Sequence, residues 1–102
     1  MKTAPEEPRT TREQRLLDGG WRILASANDA IFVVESLYSG VQVLHFYFDA
    51  PNNTPMVEGY LASSFDFKAR NELLNDPDRF VGNFYLHTAN VEPDWVTREE
   101  YL

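Results

Sequence analysis

Two short runs hold the chain's only histidines, His45-Phe46-Tyr47 and Tyr85-Leu86-His87. In each, an imidazole and a phenol stand two residues apart, a spacing that puts them on one face of a β-strand. If those strands were neighbours, two imidazoles and a carboxylate such as Asp49 could ligate a metal ion. One imidazole could equally serve as a general base. Both chemistries need a strand order that the sequence does not dictate, and His beside an aromatic residue is ordinary in a half-buried sheet. The structural reading is therefore preferred, with no catalytic residue, no metal and no cofactor expected. Gly-rich phosphate loops, nucleophile elbows and Cys/His metal clusters are absent from the sequence.

The element that would position His45 and Tyr47 is the stretch from Ile31 to Phe48. Both Ile31–Tyr38 and Val41–Phe48 are rich in β-branched and aromatic residues, which suit a pleated surface. Ser39-Gly40 between them fits a two-residue hairpin loop. With that loop, Ile31, Val33, Glu35 and Leu37 lie opposite Phe48, Phe46, Leu44 and Gln42. On the other face, Phe32, Val34, Ser36 and Tyr38 lie opposite Tyr47, His45, Val43 and Val41. Neither face alternates cleanly between apolar and polar residues, so both ask for cover. The helices of so short a chain are expected to cover only one. The second, aromatic face is then left for another protein.

Upstream, residues 1–9 contain Pro5, Pro8 and paired Glu, and read as a flexible tail. Thr10-Thr11-Arg12-Glu13 is a capping-box pattern that opens a helix. Leu16, Leu17, Gly20, Trp21, Ile23, Leu24 and Ala27 fall within roughly 160° of a helical wheel, the width of a core-facing stripe. The helix is accordingly expected to continue through Gly19-Gly20 to Ala27; the competing reading ends it at Asp18 and makes Trp21–Ser26 a strand. Downstream, Asp49–Pro55 is a loop and Met56–Ala62 a third strand interrupted by Gly59. A second helix runs from Ser63 or Ser64 to about Asn75. Phe65, Ala69 and Leu73 lie on one side of it, Phe67 and Leu74 on the other, so one side is expected to meet the sheet and the other a partner. Arg79–Ala89 reads as a fourth strand, and Thr97-x-x-Glu100 as the cap of a very short final helix.

With 102 residues, 43% hydrophobic and 25% charged, the chain has the composition of one globular domain. No apolar run approaches the roughly 18 residues of a membrane span. The absence of Cys and of an apolar leader in the first nine residues suits a cytoplasmic protein. Net charge is −7. Residues 1–22 hold five basic and four acidic side chains, the remainder four basic and twelve acidic. No Lys or Arg occurs from Ile23 to Phe67, so the basic footprint of nucleic-acid binding is missing. A protein with a basic surface is the better electrostatic match.

These readings combine into one α+β domain over residues 10–102: a four-stranded, mainly antiparallel sheet with the first helix on one face. The expected function is a non-enzymatic acidic module that occupies a basic site on a partner protein. Its contact residues are Phe32, Tyr38, His45 and Tyr47 on the sheet, with Phe67 and Leu74 on the second helix. No motif ties the chain to a family. The order of elements and the acidity are similar to those of small dimeric chaperones of bacterial secretion systems, and fit immunity proteins and phage-encoded inhibitors of defence systems equally well. Such likeness does not fix function. The alternatives are a small enzyme or metal-binding domain using His45 and His87, and a homo-oligomer, most simply a homodimer, in which the apolar surfaces serve self-association.

Overall fold

A computed structural model describes residues 9–102, so apart from Arg9 the expected tail lies outside the described residues. Five strands, β1 (Arg22–Ala27), β2 (Ile31–Ser36), β3 (Gly40–Asp49), β4 (Thr54–Leu61) and β5 (Trp95–Arg98), form one antiparallel sheet in chain order. Helix α1 (Thr11–Asp18) precedes the sheet; α2 (Phe67–Asn75), α3 (Pro77–Gly82) and α4 (Phe84–Thr88) form the connection from β4 to β5. The α+β class and the antiparallel sheet are as expected; the strand count is five rather than four.

Both faces of the sheet are covered, not one. Leu16 of α1 packs with Phe32, Val34, Leu44, Phe46 and Val57, flanked by Trp21, Ile23 and Trp95. On the opposite face Val33, Val43 and Tyr60 meet Leu73 of α2, Phe80 and Val81 of α3, and Phe84 of α4. Full burial of one such side chain contributes about 1.5–3 kcal/mol, so each layer is held by several mutually supporting contacts.

The differences from expectation have local causes. The capping box forms: Thr10 Oγ1 accepts from Glu13 N–H, and Glu13 Oε1 accepts from Thr10 N–H at 3.1 Å. The helix nevertheless stops at Asp18, because Gly20 takes φ +90° and its N–H donates to Leu17 O while Trp21 N–H donates to Leu16 O. That is a Schellman ending, which a glycine in the left-handed region permits. The apolar stripe beyond it belongs to a strand: Ile23 joins Leu16 on one face, while Leu24, Ala25 and Ala27 join the other core after a register irregularity between Ile23 and Ala25.

The β2–β3 hairpin turns through three residues, Leu37-Tyr38-Ser39, with Ser36 paired to Gly40. Gly40 adopts φ +64°, and Ser36 Oγ accepts from Ser39 N–H at 3.0 Å. Loops of this length commonly end in one left-handed residue, which is Gly40's part here. Ile31 therefore pairs with His45 rather than Phe48, a shift of three residues. An odd shift exchanges the faces of one strand relative to the other, so Phe32 shares its face with Leu44 and Phe46 instead of with His45 and Tyr47.

Residues 79–89 form helices, not a strand. Asp76 closes α2 and opens α3, its side chain accepting from Arg79 N–H while Pro77 occupies the first turn. Phe80, Val81 and Phe84 are the buried residues, a helical spacing. The alternation Phe80, Gly82, Phe84, Leu86 that suggests a strand is incidental to it. The C-terminal segment likewise differs: Trp95–Arg98 is the edge strand, followed by a single 3-10 turn at Glu99–Tyr101 in place of the expected short helix.

Glu99 ties the segment after β5 to α1. Its carboxylate accepts from Arg12 at 2.8 Å and from Arg15 at 3.1 Å, its backbone carbonyl accepts from Arg15, and Arg12 also donates to Asp29 O. The Arg12 hydrogen bond, aided by the charges of Arg12 and Arg15, outweighs desolvation and holds this carboxyl below its ordinary value of 4.5. A lowered folded-state pKa gives stability that is complete above the unfolded value and is lost as pH falls through the folded one. Glu99→Gln is expected to cost about 1–2 kcal/mol at pH 7. It should also lose less stability than the parent on acidification below pH 4.5, as urea titrations at pH 7 and pH 3 would read.

Candidate functional site

The sequence-selected pair His45 and Tyr47 does come together with further groups, on the face of β3 that α2–α4 cover. Glu58 of β4 lies directly opposite His45 in the sheet, and His45 Nδ1–H donates to its Oε1 at 2.8 Å. The same oxygen accepts the Tyr60 hydroxyl at 2.9 Å. The His45 ring is stacked against Tyr47 at 5.8 Å, lies 4.9 Å from Phe84 and meets the edge of Tyr85 at 5.8 Å. Burial, and then the hydrogen bond and charge of Glu58, push the Tyr60 hydroxyl well up from its ordinary value. Tyr47 is raised in the same direction by burial, by Glu58 and by Asp49. Both phenols therefore stay neutral at pH 7.

The first turn of α4 meets His45 through Phe84 and Tyr85. Beyond that contact the face continues as Tyr47 opposite Met56, Glu58 opposite Val96, and Met56 opposite Arg98. Tyr47, Met56 and Glu58 are half-buried, Val96 is exposed, and Tyr85 on α4 is 68% exposed beside them. The result is an aromatic and aliphatic surface set around the half-buried His45–Glu58 hydrogen bond, with Asp49 close to Tyr47. Glu58 is the residue that sequence reasoning missed. Its signal is a lone acid in the predicted third strand, on the same side as Met56 and Tyr60, whose meaning appears only once His45 is placed across from it.

The other selected residues do not join this surface. Phe32, expected on the partner-binding face, is 0% exposed beneath α1, because the hairpin register turns it inward. Tyr38 stands at the tip of the β2–β3 hairpin, 99% exposed. Phe67 and Leu74 lie on the outer side of α2, opposite the buried Ala69 and Leu73. The two-sided character read for that helix is therefore present, with Asp66 rather than Ser63 or Ser64 as its cap.

His45 and His87 do not form a joint centre. His87 lies on α4, stacked on Phe80 at 4.7 Å, and its Nε2–H donates to Glu72 at 2.8 Å. That hydrogen bond, with Asn83 and the charges of His87 and Arg79, lowers the Glu72 carboxyl despite desolvation. Each imidazole thus has its own carboxylate. His87 borders an open groove of about 540 Å³ with Ser64, Lys68, Leu86 and Asn90. A carboxylate-held imidazole such as His45 could act as a base at its other nitrogen, yet its ring neighbours are aromatic and no hydroxyl nucleophile bonds to it among the described residues. Among those residues no group of three or more His, Asp or Glu is placed to hold a metal ion, and no helix is long and apolar enough to cross a membrane.

In comparisons with known proteins, no family model, no curated protein and no solved structure matches this chain.

Proposed function

We propose that this protein is a non-enzymatic acidic binding module that docks the open end of its sheet, Tyr47, Met56, Val96 and Tyr85 around His45–Glu58, onto a basic site of a partner protein. The observation that carries this reading is the surface at the first turn of α4, where half-buried Tyr47 and Met56 lie with exposed Tyr85 and Val96, and Glu58 and Asp49 stand beside Tyr47. Tyrosine supplies large contact area at low entropic cost, and the surrounding acids favour a cationic partner and speed its encounter. The charge pattern supports the same partner class, since no Lys or Arg occurs from Ile23 to Phe67 and the net charge is −7. Inhibitor, immunity protein, phage anti-defence protein and secretion-chaperone-like adaptor are variants of this one reading. A chain without Cys fits a reducing compartment such as the cytoplasm.

The test is affinity capture from the native host with the parent chain and with a Tyr47→Ala, Tyr85→Ala variant. Recovery of a basic partner is expected to drop at least tenfold, by loss of two interfacial tyrosines, while melting temperature changes little. Equal recovery by a folded variant would contradict the reading, as would collapse of the fold, which would return Tyr47 to the core.

A further inference from the structure

We propose that the β2–β3 hairpin tip is a self-association surface on which a second copy of this chain seats, forming a weak two-fold dimer separate from the partner surface. Leu37 is 100% exposed and Tyr38 99%. The turn itself requires neither. Its chemistry is supplied by Gly40, at φ +64°, and by the Ser36 hydroxyl that accepts from Ser39 N–H. Small polar residues would serve at positions 37 and 38 without loss to the fold, so two large apolar side chains there ask for an occupant.

The tip also lies beside hollows. One shallow cleft, of about 430 Å³, is lined by Gly20, Arg22, Glu35, Ser36 and Leu37. Another, of about 410 Å³, runs past Gly19, Gly20, Trp21 and Tyr38. Both are floored by the bare α1–β1 turn, where Gly20 has nothing within 4 Å of a would-be Cβ. A projection flanked by concavities is self-complementary under a two-fold axis: the tip of each copy enters the hollow of the other, the isologous arrangement of most homodimers.

Charge selects a second copy over a basic partner. Between Ala30 and Phe48 the only Asp, Glu, Lys or Arg is Glu35, and Arg22 faces it at 3.7 Å. The acid beyond the turn, Asp18, is held by Gln14. This end of a chain of net charge −7 therefore carries little charge, the Arg22–Glu35 pair and the single carboxylate of Asp18. A copy can approach it without the repulsion met elsewhere, and a cationic protein finds little to attract it. Two leucines and two tyrosines bury on the order of 700 Å², below the roughly 1,200 Å² of stable complexes. The dimer is accordingly weak, with a Kd on the order of 100 µM.

Sedimentation velocity from about 10 µM to about 1 mM, a range that brackets this Kd, tests the proposal. The parent mass should rise from 11.8 kDa toward twice that value. A Leu37→Ser, Tyr38→Ser variant should remain monomeric with unchanged melting, because both residues are fully exposed. The Tyr47→Ala, Tyr85→Ala variant should dimerise like the parent. A parent that stays monomeric throughout overturns the proposal, as does a tip variant that associates equally well. Dimerisation lost with Tyr47 and Tyr85 but kept in the tip variant overturns it too, by moving the contact to the open sheet.

Discussion

Gly59→Ala is expected to destabilise the domain by more than about 3 kcal/mol, a large share of the stability of a domain this size. Gly59 of β4 lies opposite Trp95 of β5, and the indole ring fills the space a side chain at position 59 would need. A Cβ at this position would overlap Cε2, Cζ2 and Nε1 of Trp95. The ring cannot simply swing away. Its Nε1–H donates to the buried Gln42 side chain at 3.0 Å, and leaving a buried amide without its partner costs about 1–3 kcal/mol by itself. Asp94 adds a second anchor, its N–H donating to Gly59 O at 2.8 Å and its carboxylate accepting from Leu61 N–H and Ser64 Oγ. The edge strand is thus clamped to β4 through the one position where a side chain is forbidden. Urea denaturation should show the loss. Gly82→Ala, where no heavy atom lies within 4 Å, should change stability by less than about 0.5 kcal/mol. In a Trp95→Ala background the Gly59→Ala cost should shrink, giving a coupling energy of about 2 kcal/mol. Equal costs in both backgrounds would show that the clash is not the cause.

Phe32→Ala is expected to cost about 3–5 kcal/mol, against less than about 0.5 kcal/mol for Tyr38→Ser in the same hairpin. Phe32 is fully buried and meets Phe46 edge-on, with ring centroids 5.5 Å apart. Arg12 lies over the other ring of that pair, 4.6 Å from the Phe46 centroid. Truncating Phe32 therefore opens a cavity under α1 and loosens the side chain that Arg12 covers. The contrast between the two substitutions reads the hairpin register directly. A two-residue Ser39-Gly40 loop would have put Phe32 beside Tyr47 on the aromatic face, where its loss would be far cheaper. Comparable midpoints for the two variants in urea would contradict the three-residue loop.

What was legible in the sequence was local. Thr10 and Glu13 predict a helix start because both partners of the capping box lie within one turn. Phe67 and Leu74 predict an outward side of α2 because helical spacing is set by the same few residues. Ile31–Phe48 predicts a hairpin, and His45 with Tyr47 a shared face, from the two-residue period alone. Failures came where two periods or two lengths were both allowed. Phe80, Val81 and Phe84 satisfy a helix, and Phe80, Gly82 and Phe84 satisfy a strand; only the cap at Asp76 and the core below decide. The stripe from Leu16 to Ala27 satisfies a helical wheel, but Gly20 takes a conformation that ends the helix and hands the rest to β1. The register of β2 on β3 depended on whether Leu37 and Tyr38 count as strand or loop, a difference that apolar side chains conceal. Glu58 was missed for another reason. Its role comes from His45 across the sheet, and a cross-strand neighbour exists only after the register is known.

The most direct measurement on the proposed function is calorimetric titration of the captured partner into the parent chain and into the Tyr47→Ala, Tyr85→Ala variant, at low and at moderate salt. The prediction is a Kd at least tenfold weaker for the variant, with parent affinity falling as salt screens the acidic surface. Equal affinities for the two proteins, or an affinity indifferent to salt, would contradict docking of a basic partner at the open end of the sheet.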